Sequence, residues 1–147
     1  MTKITFTNGT TPALNATNLN QMQTNIENAI NLLKPVTLYN NASGTTGNVT
    51  LSQTSADFEY LEIFFGDTGG NFPAYSSVKV YSPNGKRVST VIGARESSSA
   101  DSIRLNVRTL VISGTNINID SYQINYVNDG GQYHSNEQKI YRVLGYR

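Results

Sequence analysis

The sequence contains no cysteine and no tryptophan, and its only histidine is His134. Without cysteine there is no disulfide, no thiol nucleophile and no cysteine-ligated zinc or iron–sulfur site. A lone histidine builds no multi-histidine metal centre within one chain; only copies meeting on a symmetry axis would bring several together. Charge is sparse as well. Asp, Glu, Lys and Arg make up 14% of the residues, against roughly 25% in an ordinary globular domain. Eleven basic and ten acidic residues leave a net charge of +1, without the basic excess of a dedicated nucleic-acid binder. No run approaches the ~20 apolar residues of a membrane span. Met1-Thr2-Lys3-Ile4-Thr5 opens without the apolar segment of a secretory signal. The expectation is a soluble protein with no nucleic-acid or membrane partner, no metal and no cofactor.

What the chain has instead is small polar side chains. Asn occurs 18 times, Thr 16 and Ser 14, so a third of the 147 residues carry a short amide or hydroxyl. Surfaces wetted this way are common among extracellular and virion β-proteins. The length suits one domain with a short appendage.

Two zones separate at Pro35, which stops a helix at the residue before it. In residues 1–34, Asn15 is a fitting N-cap, and Leu14 with Leu19 forms a hydrophobic staple. Leu19, Met22, Ile26, Ala29 and Leu33 follow at 3-4-3-4 spacing, the a/d seam of a heptad repeat, which Ile30 widens. The other faces are Asn, Gln and Thr, poor material for a helix that stands alone in water. Something must cover the seam. Two readings stay open: the helix packs on its own β-domain, or on copies of itself.

Residues 35–147 read as strands and turns. Short strands are expected at Val36 to Tyr39 and Asn48 to Leu51, around the turn from Gly44 to Gly47. Asp57 to Phe65 is the most apolar strand, with Leu61, Ile63 and Phe65 on one face and Tyr60 and Phe64 on the other, the pattern of a central strand. Val78 to Tyr81 and Arg87 to Ile92 flank Ser82-Pro83-Asn84-Gly85, read as a hairpin turn. Ile103, Leu105, Val107, Thr109 and Val111 alternate with Arg104, Asn106 and Arg108, which predicts an apolar buried face and a polar wet one. Ile117 and Ile119 mark one short strand, and Tyr122, Ile124 and Tyr126 another. Ile140, Arg142, Leu144 and Tyr146 alternate in the last. The fold class expected is mainly β: an N-terminal amphipathic helix, then an antiparallel, jelly-roll-like β-sandwich.

Motifs for chemistry are scarce. Gly66-Asp67-Thr68-Gly69-Gly70-Asn71 lacks the lysine and following helix of a phosphate loop and the spaced oxygen ligands of a calcium loop, and reads as a strand-to-strand turn. Asp57, Glu59 and Glu62 are close enough in sequence to weigh as a hydrolytic acid pair, but carboxylates near strand starts are more often solvated or protect an edge. His134 sits in a loop-like stretch, and no G-x-S-x-G nucleophile elbow accompanies it. The expectation is no catalytic residue. Nine tyrosines are the most suggestive feature. Tyr39, Tyr75, Tyr81, Tyr133 and Tyr146 fall at strand ends or loops, where an apolar ring with a polar tip suits sugar stacking or protein contact, and equally the rim of a small core. Tyr75 and Tyr133 are the candidates for ligand binding.

Thr11-Pro12-Ala13-Leu14-Asn15-Ala16-Thr17-Asn18-Leu19-Asn20-Gln21-Met22 resembles a recurring opening of bacteriophage tail-fibre and baseplate proteins, in which an extended arm leads into an amphipathic helix. Ile26, Ala29 and Ile30 continue that pattern. More loosely, Leu38 to Gly44, Tyr60 to Phe65 and Val78 to Lys86 are similar to small domains of phage and prophage tail proteins of Gram-positive bacteria. The helical motif covers about a fifth of the chain, and the long shaft of a full fibre is missing. The resemblance implies a virion structural protein without enzymatic activity. Residues 1–34 would form an arm that meets other virion proteins and an oligomerisation helix that joins a homotrimer through Leu19, Met22, Ile26, Ala29, Ile30 and Leu33. Residues 35–147 would form a head that contacts host cell-wall polysaccharide. The alternatives are a monomeric carbohydrate-binding module, and a head or collar fibre protein without receptor binding.

Overall fold

The structure, a computed structural model, describes residues 16–68, 73–95, 103–126 and 138–147, with the backbone alone for 94–95, 103–104 and 120–126. The chain divides into two units, Met1–Pro35 and Val36–Arg147.

Helix α1 spans Ala16–Leu33. Its polar faces are tied along the axis by bonds one turn apart. Gln21 Nε2 donates to Asn25 Oδ1 at 3.1 Å, Gln23 Nε2 to Glu27 Oε1 at 2.9 Å, and Thr24 Oγ1 to the Asn20 carbonyl at 2.9 Å. At the C-terminal end, Lys34 Nζ donates to Asn31 Oδ1 at 3.1 Å, just before Pro35 ends the helix. The expected cap Asn15 and staple residue Leu14 lie outside the described residues. No residue of α1 is buried, and the helix is too polar to cross a membrane.

The second unit is built of eight strands: β1 (Val36–Thr45), β2 (Val49–Thr50), β3 (Tyr60–Asp67), β4 (Ala74–Tyr81), β5 (Arg87–Arg95), β6 (Ile103–Ser113), β7 (Asn116–Tyr126) and β8 (Gln138–Tyr146). All pair antiparallel, in one sheet of order β1-β8-β3-β4 and another of order β2-β7-β6-β5. One apolar cluster takes side chains from both sheets, among them Leu38, Leu61, Ile63, Val80 and Val143 from the first and Val49, Leu110, Ile112 and Ile117 from the second. The protein is therefore mainly β, a helix followed by a β-sandwich. The first and last strands lie side by side, as in a jelly roll, while β3–β4 and β5–β6–β7 run as hairpins.

β3 is central, between β8 and β4, as its two-sided apolarity predicts, although it begins at Tyr60 and Asp57 belongs to a 3₁₀ turn, Ser55–Asp57. Four expectations need correction. Ser82-Pro83-Asn84-Gly85 is a turn, with Gly85 at φ +79°, but β4 and β5 lie in different sheets, so it is a corner and not a hairpin. The corner is pinned from outside itself: Asn84 Oδ1 accepts from Gly114 N at 2.9 Å, and Gly85 N donates to the Ile112 carbonyl at 2.8 Å. The segments around Ile117 and Tyr122 form one strand, β7, with an irregularity where Arg108 pairs with Gln123 and Leu110 with Ile119. The faces of β6 are reversed. Asn106, Arg108, Leu110 and Ile112 are buried, while Leu105 is exposed and Val107, Thr109 and Val111 are half-buried. Finally, β8 changes phase. Phe64 pairs with Arg142 and Phe65 with Ile140, so Tyr141 is an extra residue in a bulge. Ile140 points into the core; Arg142, Leu144 and Tyr146 take the opposite face, in register with Phe64, Glu62 and Tyr60.

Candidate binding face

Registers across β8, β3 and β4 set rows of side chains on the outer face of the first sheet. Tyr146, Tyr60 and Tyr81 form one row, Leu144, Glu62 and Lys79 the next, and Arg142, Phe64 and Ser77 the third. The rows interlock. The Tyr60 ring stacks on Tyr146 with centroids 4.4 Å apart and planes 8° apart, and meets Tyr81 at 5.1 Å on its other side. Lys79 Nζ lies 5.4 Å from the Tyr60 centroid, and the Arg142 guanidinium 5.2 Å from that of Phe64. Glu62 accepts through both oxygens, from Ser77 Oγ at 3.0 Å and from the Tyr146 hydroxyl at 3.1 Å. Burial, and then this bond to a carboxylate, raise the Tyr146 phenol above its ordinary pKa.

Farther along, β4 and β8 each lay a tyrosine over a glycine. Tyr75 pairs with Gly66, where an added Cβ would stand 2.5 Å from Tyr75 Cδ1. Tyr141, put out by the bulge, covers Gly44, where an added Cβ would meet its ring at 2.9 Å. Gly44 also sits at φ +66°, which a side chain rarely adopts. The two rings meet edge to face at 5.6 Å. Burial raises the Tyr141 pKa; a bond with Thr68 opposes this, and Tyr75 and Asp67 add to the rise.

Between the sheets, near the ends of β3 and the starts of β6 and β8, lies a polar cluster. Asp67, Thr90, Asn106, Arg108 and Gln138 are all buried. Asn106 Nδ2 donates to Asp67 Oδ2, and Arg108 donates to the carbonyls of Gln138 and Thr46. Thr90 Oγ1 bonds Gln138 Oε1 at 2.6 Å and the Arg108 carbonyl at 3.1 Å. At the opposite end of the sandwich is a shallow cavity of about 260 Å³ lined by Ser55, Phe58, Pro83 and Asn84. Of its polar side chains, Asn84 already accepts from Gly114 N, and Ser55 Oγ lies 3.5 Å from the same Asn84 oxygen.

The sequence candidates fall in three places. Leu19, Met22, Ile26, Ile30 and Leu33 are exposed along α1, Leu33 to 80%, with Ala29 half-buried among them. Tyr75 is on the outer face and 65% exposed. Tyr133 and His134 lie outside the described residues. Asp57, Glu59 and Glu62 do not act as a set: Asp57 is in the 3₁₀ turn, Glu59 precedes β3, and both Glu62 oxygens are engaged by neighbours. Among the five tyrosines singled out by position, Tyr75, Tyr81 and Tyr146 share the outer face, while Tyr39 packs against the core. Tyr60 and Tyr141 complete the face and carry no signal of their own, because the first looks like strand interior and the second is displaced by a bulge. The strand expected at Val78 to Tyr81 begins at Ala74, so Tyr75, Ser77, Lys79 and Tyr81 alternate along one face, a signal present in the sequence and left unread by the shorter strand. No known protein family, curated protein or solved structure matches the chain.

Proposed function

We propose that the protein is a structural component of a bacteriophage virion, a homotrimer of the tail fibre or baseplate that contributes to attachment at a host-surface saccharide. Its N-terminal unit joins three copies and meets other virion proteins; its sandwich is the head. The observation that carries this reading is the heptad seam of α1, whose Leu19, Met22, Ile26, Ile30 and Leu33 are all exposed in the single chain. Apolar side chains at these spacings gain about 25 cal/mol for each Å² withdrawn from water, and self-association through the seam withdraws them. The resemblance of Thr11 to Met22 to the opening of phage tail proteins supplies the setting. The aromatic outer face supplies a surface for a saccharide.

Native mass spectrometry of the full chain at micromolar concentration tests the assembly, with a trimer expected. A clean monomer removes it and favours the monomeric carbohydrate-binding module, which the tyrosine face would serve equally. Immunogold labelling of virions tests the setting; label on the tail is expected, and particles without label would overturn it.

A further inference from the structure

We propose that the exposed strand β4 carries a saccharide-binding track, with Tyr75 and Tyr81 as its two aromatic platforms and a neutral polysaccharide chain as its ligand. This deepens the reading of the sandwich as an attachment head and rests on it.

Tyr75 and Tyr81 are 65% and 61% exposed. Both stand on the outer face of an edge strand, six residues apart, hence ~20 Å from one another. Each ring is held in place. Tyr75 lies over Gly66, whose missing Cβ would fall 2.5 Å from Cδ1 and 2.9 Å from Cε1, so its other side is turned to solvent. Tyr141 braces it edge-on at 5.6 Å. Tyr81 is braced by Tyr60, which is itself stacked on Tyr146. Rings fixed before binding lose little freedom when a ligand arrives.

The floor between the platforms is polar. Ser77 and Lys79 project from β4, and Glu62 stands in register with Lys79 across the strand pair. On the track itself Glu62 offsets Lys79, and Arg142 of the same face lies two strands away over Phe64. Ring faces alternating with hydroxyl, amine and carboxylate match a pyranose chain, which presents C–H faces and hydroxyl edges in turn. The track is open and shallow, which suits a length of polymer over a single sugar in a pocket.

The test uses the full chain and neutral oligosaccharides released from Gram-positive cell walls and separated by size, with affinity measured by calorimetry. Affinity should rise with fragment length until the fragment spans ~20 Å and then level off. Tyr75→Ala and Tyr81→Ala should each weaken binding of the long fragments roughly tenfold, while Tyr75→Phe, which keeps the ring, binds as the original does. Gly66→Ala should also weaken binding with both tyrosines present, because the new methyl lifts the Tyr75 ring. If that variant fails to fold by circular dichroism, the two surface variants decide. Undiminished binding by the Tyr75→Ala/Tyr81→Ala double variant overturns the track, and so does affinity that ignores length or a wild type that binds no fraction. Binding kept by the double variant leaves saccharide attachment standing while the track falls, a wild type that binds no fraction removes both, and the trimer and its place on the virion are read separately by mass spectrometry and labelling, so failure of the track and failure of the proposed function are told apart.

Discussion

Arg108 shows at the scale of one side chain why the second sheet reads wrongly from its sequence. Its guanidinium is buried, and two of its N–H groups bond the Gln138 and Thr46 carbonyls, one from β8 and one from the link between β1 and β2. It thus ties the two sheets together where hydrocarbon does not. Arg108→Met fills similar space but leaves both carbonyls without that donor. The expected loss is about 2–4 kcal/mol, seen as a lower urea midpoint at unchanged slope. Thr109→Val next to it, half-buried on the other face, should change stability little. Equal stability of Arg108→Met and wild type would mean that the cluster holds nothing together. Tyr146 makes a second prediction. Its phenol titrates above the ordinary value near 10 because burial and the bond to Glu62 favour the protonated form. The unfolded chain therefore gives up this proton at lower pH than the folded one. The contribution is complete below the ordinary value and is lost as pH rises through the higher folded value. Urea midpoints should fall across that alkaline range, less steeply in Tyr146→Phe; parallel curves would refute the assignment.

At the scale of elements, α1 and β3 were legible because each signal is local. The seam of α1 repeats within one helix, and β3 announces a central strand by being apolar on both faces. Strand β6 was not, since Ile103, Leu105, Val107 and Val111 outnumber Leu110 and Ile112 of the opposite parity, and the buried cluster reverses the usual rule for Asn106 and Arg108. The corner at Asn84-Gly85 was misread for a related reason: turn chemistry fixes local backbone angles and says nothing of which sheet the next strand joins. The outer face needed β8 laid beside β3, some eighty positions earlier in the chain, with a bulge that no composition rule marks. Of the candidate site, only Tyr75, Tyr81 and Tyr146 were in view from sequence. The helix makes the prediction that belongs to this scale. Ile26→Asp sets a carboxylate at the centre of the seam, where an assembled trimer would bury three without partners. The trimer should give way to monomer in native mass spectra, while Asn28→Asp on a polar face should leave it intact. A trimer that tolerates aspartate at Ile26 is not built on this seam.

At the scale of the whole molecule, the proposed attachment combines weak contact with repeated contact. One shallow track of rings and small polar groups would exchange hydrogen bonds with water for hydrogen bonds with sugar, so the gain at each head would be small. In the proposed trimer, three heads would raise the effective concentration of the second and third contacts and so add ~10²–10⁴ in apparent affinity without new chemistry. A net charge of +1 gives little electrostatic attraction to a bacterial surface, so attachment should scarcely change between low and moderate salt. The comparison that decides is the fluorescently labelled trimer against its Ile26→Asp monomer on the same cells. The monomer should bind ~10² times more weakly or worse, and Tyr75→Ala in the trimer should lower binding more than it does in the monomer, since each weakened head is counted three times. Equal binding by trimer and monomer would show that one head suffices. Attachment abolished by moderate salt would show that charge, and not the tyrosine face, holds the protein to the cell.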